Sequence, residues 1–187
     1  MLTDAHCHPF DLNKVFLDFA AMQSTKILCA ASASSKEEFD YNDYFAKNNA
    51  GISVYPCFAV HPQLPAYLNN SGDEKEISLK IYELLNLLEE IAGQGRLSAI
   101  GETGYDLLNE QYQETEALQN EIFNAHLETA LRYNLPLVLH VRRAMHKIFE
   151  HSISLKKCRA VVFHSWSGTK AEAESLLARG INAYFSF

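Results

Sequence analysis

The stretch "LPLVLHVR", residues 135–142, is the one whose reading decides the fold. Asn134 in front of it is a helix stop, and residues 111–133 before that repeat apolar positions every 3.6 residues. Leu118, Ile122, Ala125 and Thr129 fall along one line of that helix, and Phe123, Leu127, Ala130 and Leu131 lie beside it. The apolar run that follows is strand-length and bounded by turn signals, so it reads as a buried strand. It ends on His140.

Working outward, the same helix-then-strand unit recurs. Strand-like runs over 1–6, 26–31, 52–60, 97–101, 135–141, 159–163 and 181–187 alternate with helix-like segments. Ser35 to Glu38 and Thr169 to Glu172 read as capping boxes, Asp73 as an N-cap, and Gly93 and Gly180 as further helix stops. The stretch Gln63 to Gly72 reads as a loop leading to the helix after the third strand. Repeated β-α units imply a parallel sheet with crossover helices, and no repeat or linker divides residues 1–187, so one α/β domain is expected. Two architectures satisfy this pattern, a doubly wound open sheet and a TIM-type (β/α) barrel. A barrel normally has eight strands and about 250 residues, with a lower range of about 200, one unit more than this chain provides.

Composition sets the class. The 187 residues are 48% hydrophobic and 11% aromatic, as in a soluble globular domain. The opening residues carry charge and histidine where a signal peptide needs an unbroken apolar core, and the apolar runs are too short to span a bilayer, so cytoplasmic residence without a membrane partner is expected. The four cysteines, Cys7, Cys29, Cys57 and Cys158, are widely spaced and read as reduced thiols, not a disulfide frame or a thiolate zinc site. A net charge of -7 argues against sequence-independent nucleic-acid binding through lysine and arginine. It leaves room for a nuclease whose bound cations supply the positive charge.

Metal-type residues gather at the C-terminal ends of the strands, where barrels and open α/β sheets place their sites. In "LTDAHCHPF" the strand alternation puts Asp4, His6 and His8 on one face. Glu102 follows "LSAIG", His140 ends "LPLVL" and His164 ends "AVVF". Taken singly, each has a bland alternative as a strand-end histidine, a salt-bridge partner or a satisfied core imidazole. Taken together, four strands delivering such residues at one end point to a single pocket. Four histidines and a glutamate exceed the needs of one tetrahedral zinc, which suggests two divalent ions bridged by the carboxylate, and imidazole suits Zn, Mn, Fe or Ni better than Mg alone. His126, His146 and His151 fall in helical segments and read as structural or surface residues. Arg142, two residues past His140, forms with Arg143 and Lys147 a local basic cluster able to clamp a phosphate, or simply the solvated start of the next helix.

In order and spacing, "TDAHCHPF", "AVHP", "AIGETGYD", "LPLVLHVR", "VFHSWSG" and "AYFSF" resemble the successive motifs of the TatD-type metal-dependent hydrolases, a barrel branch of the amidohydrolase-like superfamily. The resemblance covers essentially the whole chain. It implies that His6, His8 and Glu102 hold one metal, that Glu102, His140 and His164 hold the second, and that Glu102 is the central catalytic residue. It also implies deoxyribonuclease activity on DNA, with His61 of "AVHP" near the substrate mouth. Trp166 could stack on a base or simply pack.

The sequence departs from that pattern in two places. The family's barrel continues past "YFSF" to a strand bearing a Glu-Thr-Asp motif, whose aspartate is a metal ligand and the general base, and no residue here fills that role. The expectation is therefore a barrel of about seven strands, its open edge covered by a homo-oligomeric partner or a rearranged terminus. Thr103 and Tyr105 in "GETGYD" replace an aliphatic residue and a leucine and are expected to reshape the pocket. The leading reading is a metal-dependent phosphodiesterase. An amidohydrolase acting on an amide or ester is the first alternative, and an inactive relative that keeps metal as a binding protein is the second.

Overall fold

A computed structural model describes residues 2–11, 27–48, 52–69 and 73–187. Its strands are β1 (Leu2–Cys7), β2 (Ile27–Ala31), β3 (Ile52–Phe58), β4 (Ala99–Asp106), β5 (Leu137–Arg142), β6 (Val161–Phe163) and β7 (Ala183–Phe185). They form one sheet in chain order, each strand parallel to the next. A doubly wound sheet reverses its strand order at a switch point, whereas a barrel adds strands in one direction. The unbroken order therefore decides for the barrel, here curled through seven strands.

The helices lying wholly within the described residues are α1 (Lys36–Asn48), α2 (Leu64–Asn69), α3 (Glu74–Gly93), α4 (Glu110–Gln113), α5 (Glu116–Tyr133), α6 (Met145–Glu150), α7 (Ser152–Leu155) and α8 (Lys170–Ala178). Among the described residues none is long and apolar enough to cross a membrane. Several expected helix ends are present: Asp73 accepts the N–H groups of Lys75 and Glu76, Thr169 and Glu172 close a capping box, and Asn134 ends α5 in the left-handed conformation at φ 51°. Others shift. Glu38 donates its N–H to Ser35 Oγ, but its carboxylate turns to the Ser34 N–H at 2.6 Å, so the box at Ser35 is only half closed. Gly93 is still helical, and the left-handed turn comes at Gly95, φ 68°. The helix expected over 111–133 is two, α4 and α5. The expected loop from Gln63 contains α2, with Pro65 in the first turn, where its missing N–H costs nothing; residues 70–72 lie outside the described residues.

Alternation along the strands separates two faces. Phe58, Ile100, Leu137, Leu139, Val161 and Phe163 join the main core beneath the helices. Cys57, Ala99 and Val138 form a second cluster with Ala30 and Val162. Small side chains fill this second face because the curled sheet narrows toward its axis. His140 continues the row from Val138, so the concave face becomes polar at the strands' C-terminal ends.

Three expectations are corrected. His126 is fully buried, not on a surface. Its Nε2 accepts the Val60 N–H at 3.1 Å and its Nδ1 pairs with Thr103 Oγ1 at 2.6 Å. Thr103 and Tyr105 accordingly face α5 and not the pocket. Tyr105 packs on Phe123 and hydrogen-bonds Asn120 and His151, each at 2.8 Å. The basic cluster also dissolves, since Lys147 pairs with Glu116 and Glu150 while Arg143 donates to the Leu108 carbonyl.

Candidate metal centre

The site is organised by an irregularity in β4. Between Ile100, paired with Leu137, and Thr103, paired with Leu139, β4 spends one more residue than β5. Such a bulge bends a strand and re-aims a side chain. Two glycines permit it. A Cβ on Gly101 would meet Val138 Cβ at 2.5 Å, and one on Gly104, at φ 131°, would meet the His140 carbonyl at 2.2 Å. The "GETG" spelling is thus a close approach of two backbones that turns Glu102 onto the axis.

Glu102 is 8% exposed and sits at the centre of the histidines. Its Oε1 faces His140 Nδ1 at 2.7 Å and His164 Nε2 in closer contact; its Oε2 faces His6 Nε2 at 3.1 Å and His61 Nε2 at 3.5 Å. His8 Nε2 lies 3.0 Å from His6 Nε2. Burial opposes ionisation of Glu102, but the surrounding imidazoles of His140, His164, His6 and His61 prevail and hold the carboxyl far below its ordinary range. His8, the most exposed of the group, has its pKa lowered by burial and by the neighbouring His6.

The second partner of each ring decides its role, because a ring nitrogen that gives its proton to one neighbour leaves a lone pair on the other side. His140 Nε2 lies 2.9 Å from Asp106 Oδ2, an acceptor, so Nδ1 presents its lone pair to Glu102 and the axis. His6 Nδ1 lies 2.9 Å from Ser32 Oγ at the end of β2; with that nitrogen donating, Nε2 is free to ligate. His164 Nε2 is buried against Glu102 with no hydrogen-bond partner among the described residues, although the two atoms touch. Two lone pairs turned on each other are unfavourable unless a cation or proton lies between them. These donors fit divalent metal, and the clusters His6, His8, Glu102 and His61, Glu102, His140 each bring their ligand atoms within 4.8 Å of one another.

His61 differs. Its Nδ1 accepts the Gln63 N–H at 3.2 Å, so the neutral ring carries its proton on Nε2 and donates toward Glu102. It is a donor at the edge of the centre, beside a 150 Å³ cavity lined by His8, Ser32, Ser34, His61 and Glu102. Arg142 is half exposed with Nη1 3.9 Å from Asp106 Oδ2, on the side of the strand that carries His140. Trp166 is held edge-on against Phe163 and Phe185.

Asp106 was missed in the sequence. It is fully buried, accepts from Gln63 Nε2 at 2.7 Å and from the Leu108 N–H at 3.0 Å, and flanks His140 opposite Glu102. Burial raises its pKa, but Gln63, His140 and the Leu108 N–H bring it below the usual carboxylate range. Burial likewise depresses His140, and the two carboxylates more than reverse it. The signal was in "GETGYD", where a strand extended by five residues brings a second acid to the site.

Residues 3–187 match the family model described as TatD related DNase. A metal-dependent hydrolase of Escherichia coli K12, YjjV, is 27% identical over 95% of this chain and 64% of its own length. A protein of Cronobacter sakazakii named 3'-5' ssDNA/RNA exonuclease TatD is 36% identical over 80% of this chain and 51% of its own. The crystal structure of YjjV superposes with a TM-score of 0.70 at 24% identity, covering 97% of this chain and 66% of that one. The structure of a TatD family hydrolase from Entamoeba histolytica gives 0.65 at 18%. At those identities the structural likeness speaks for the fold. The chain spans less than two thirds of the length of each of these relatives.

Proposed function

The chain belongs to the TatD-related DNase family, and from that membership and the geometry around Glu102 we propose a metal-dependent phosphodiesterase acting on single-stranded nucleic acid, with DNA the foremost substrate. Two divalent cations, Zn, Mn or Mg, are assigned to His6, His8 and Glu102 on one side and to Glu102, His140 and His164 on the other. The observation that carries this reading is the division of Glu102, whose two oxygens face different histidine pairs. Cations so held supply a water of lowered pKa and positive charge against the phosphoryl oxygens.

The chain's own residues then have distinct tasks. Glu102 fixes the spacing of the two ligand sets. Asp106 takes the proton of His140 Nε2 and so keeps the ligating lone pair on Nδ1. Ser32 does the same for His6. His61 offers an Nε2–H beside the cavity, placed to donate to a phosphoryl oxygen, and the exposed guanidinium of Arg142 can hold a flanking phosphate through paired N–H bonds.

The test is hydrolysis of single-stranded DNA, duplex DNA and RNA by metal-free protein reloaded with Mn, Zn or Mg, run beside Glu102→Ala with bound metal quantified. Metal-dependent cleavage is expected in the wild type, with about two ions per chain. The variant is expected to lose both. Stoichiometric metal without cleavage would turn the reading to a metal-keeping binding protein. Cleavage confined to amide or carboxylic ester substrates would turn it to an amidohydrolase.

A further inference from the structure

A cleft of about 470 Å³ opens beside the metal centre, between the loops that follow β5 and β6. Its floor is apolar, made by Leu139, Val141 and Phe163 from the convex face, and Met145 and Trp166 wall it. Its rim is polar: Arg143, His146, Ser165, Ser167 and Glu172. His164 belongs to both regions, lining the cleft while its Nε2 touches Glu102. The volume falls in the range of about 300–1,000 Å³ typical of small-molecule sites.

Two features indicate that the cleft is built and not left over. Arg143 at φ 53° and Ser165 at φ 47° are left-handed non-glycine residues, standing just after the strands that carry His140 and His164, and both line this cleft. Such conformations are strained and gather at functional sites. The one other such residue among those described, Asn134, is an ordinary helix cap. Secondly, the aromatic wall is fixed in place. Trp166 is held by Phe163 at 5.5 Å and Phe185 at 4.7 Å between ring centroids, and its six-membered ring lies over Gly168, where a Cβ would meet it at 2.4 Å.

We infer that this cleft receives one nucleotide of the bound strand, its base against Trp166 and Met145 and its phosphate toward Arg143 and His146. The inference rests on the phosphodiesterase reading and adds to it the place where a nucleoside monophosphate unit sits. A planar ring joined to an anion matches a cleft with an apolar floor, an aromatic wall and a polar rim that carries the Arg143 guanidinium. Arg143 is steadied by its Nη1 bond to the Leu108 carbonyl at 3.3 Å. Glu172 is the acidic exception. Its Oε2 is engaged in the cap at Thr169, which leaves Oε1 to accept from an exocyclic amino group of the base.

Trp166 is the only tryptophan in the chain. It lines this cleft and also a neighbouring pocket beside Phe185 and Phe187, so its fluorescence is read together with variants of Arg143 and His146, which line the first and not the second. Metal-loaded protein would be titrated with deoxyadenosine and deoxycytidine 5'-monophosphates, deoxyribose 5-phosphate and inorganic phosphate. Saturable quenching by the mononucleotides but not by the two base-free anions is expected. Arg143→Ala should weaken it about tenfold and His146→Ala, at an exposed helix position, about threefold. Absence of quenching by either mononucleotide, or equal quenching by inorganic phosphate, overturns the cleft assignment. If nucleic-acid hydrolysis persists in that case, only the cleft fails. Quenching without hydrolysis keeps the cleft and removes the phosphodiesterase reading.

Discussion

Two buried imidazoles touch β4 and end in opposite electrostatic states. His126, on α5, meets neutral partners, the Val60 N–H and Thr103 Oγ1, and burial drives its pKa down to about 3. His140, on β5, is also penalised by burial, yet Glu102 and Asp106 flank it and raise its pKa. Burial alone therefore does not mark a functional histidine. What marks one is the charge opposite it: a ring locked between an amide N–H and a hydroxyl has both nitrogens spent, whereas a ring between two carboxylates sits where positive charge is wanted. A cation at the centre serves the same carboxylates that would otherwise draw a proton to His140.

The largest effect expected from this contrast is on stability in acid. His126 has its pKa lowered from 6.5 to about 3, so the folded protein refuses a proton that the unfolded chain accepts. Its contribution is complete above pH 6.5, is lost as pH falls below that value, and the loss levels off near pH 3. The slope is about 1.4 kcal/mol per pH unit, up to about 5 kcal/mol in all. Denaturant unfolding of metal-free protein at pH 7, 6 and 5 measures it, against His126→Gln, which keeps an acceptor for the Val60 N–H. His8 and His151 also have lowered values and add to the wild-type slope, so the difference between the two proteins is the relevant quantity. Equal slopes would show that His126 does not stand apart from the other histidines.

Next in size is the carboxylate on the far side of His140. Asp106→Asn keeps the shape but can present an amide N–H to His140 Nε2 where the ring now gives its own proton, which favours the other tautomer and withdraws the lone pair from Nδ1. Loss of a partner in that position typically costs 10–100-fold in metal affinity. Competition titration with a chromogenic chelator should show that loss at the ion shared by Glu102, His140 and His164, with the ion at His6 and His8 nearly unchanged. A uniform loss at both ions would mean that Asp106 supports the fold and not one ligand.

How much of this could be read in the sequence follows the same division. The strands and the four candidate ligands His6, His8, His140 and His164 are legible because they close apolar runs, and Glu102 because it follows one. Strand order was legible only as an alternation of elements; the direction of curl depends on how the sheet closes, which no local pattern records. Asp106 is hidden because the apolar run of β4 ends at Gly101, while the bulge at 101–102 carries the strand on to Asp106. His126 escaped although Ile122, His126 and Ala130 form one helical row whose outer members are buried at 2% and 1% exposure. Helical spacing marks which face turns inward, and only the polarity of His126 argues against its apolar neighbours. The helix α2 was hidden by Pro65, a breaker everywhere except in a first turn.

The smallest effect belongs to Arg142, and it separates two accounts of Asp106. At 3.9 Å, with the guanidinium half in water, its attraction to Asp106 is weak and screened, whereas Gln63 and His140 hold the same carboxylate oxygen at 2.7 and 2.9 Å. Arg142→Ala should therefore change unfolding free energy by less than about 0.5 kcal/mol. It should leave metal affinity within about twofold, since the pair belongs to the screened surface class. If Arg142 meets substrate phosphate instead, the variant raises KM for a nucleic-acid strand while kcat stays near the wild-type value, the signature of lost uniform binding. A fall in metal affinity matching that of Asp106→Asn would reverse the account: Asp106 would then act by anchoring Arg142 over the centre, and the carboxylate pair around His140 would no longer explain why that ring, and not His126, is the proposed ligand.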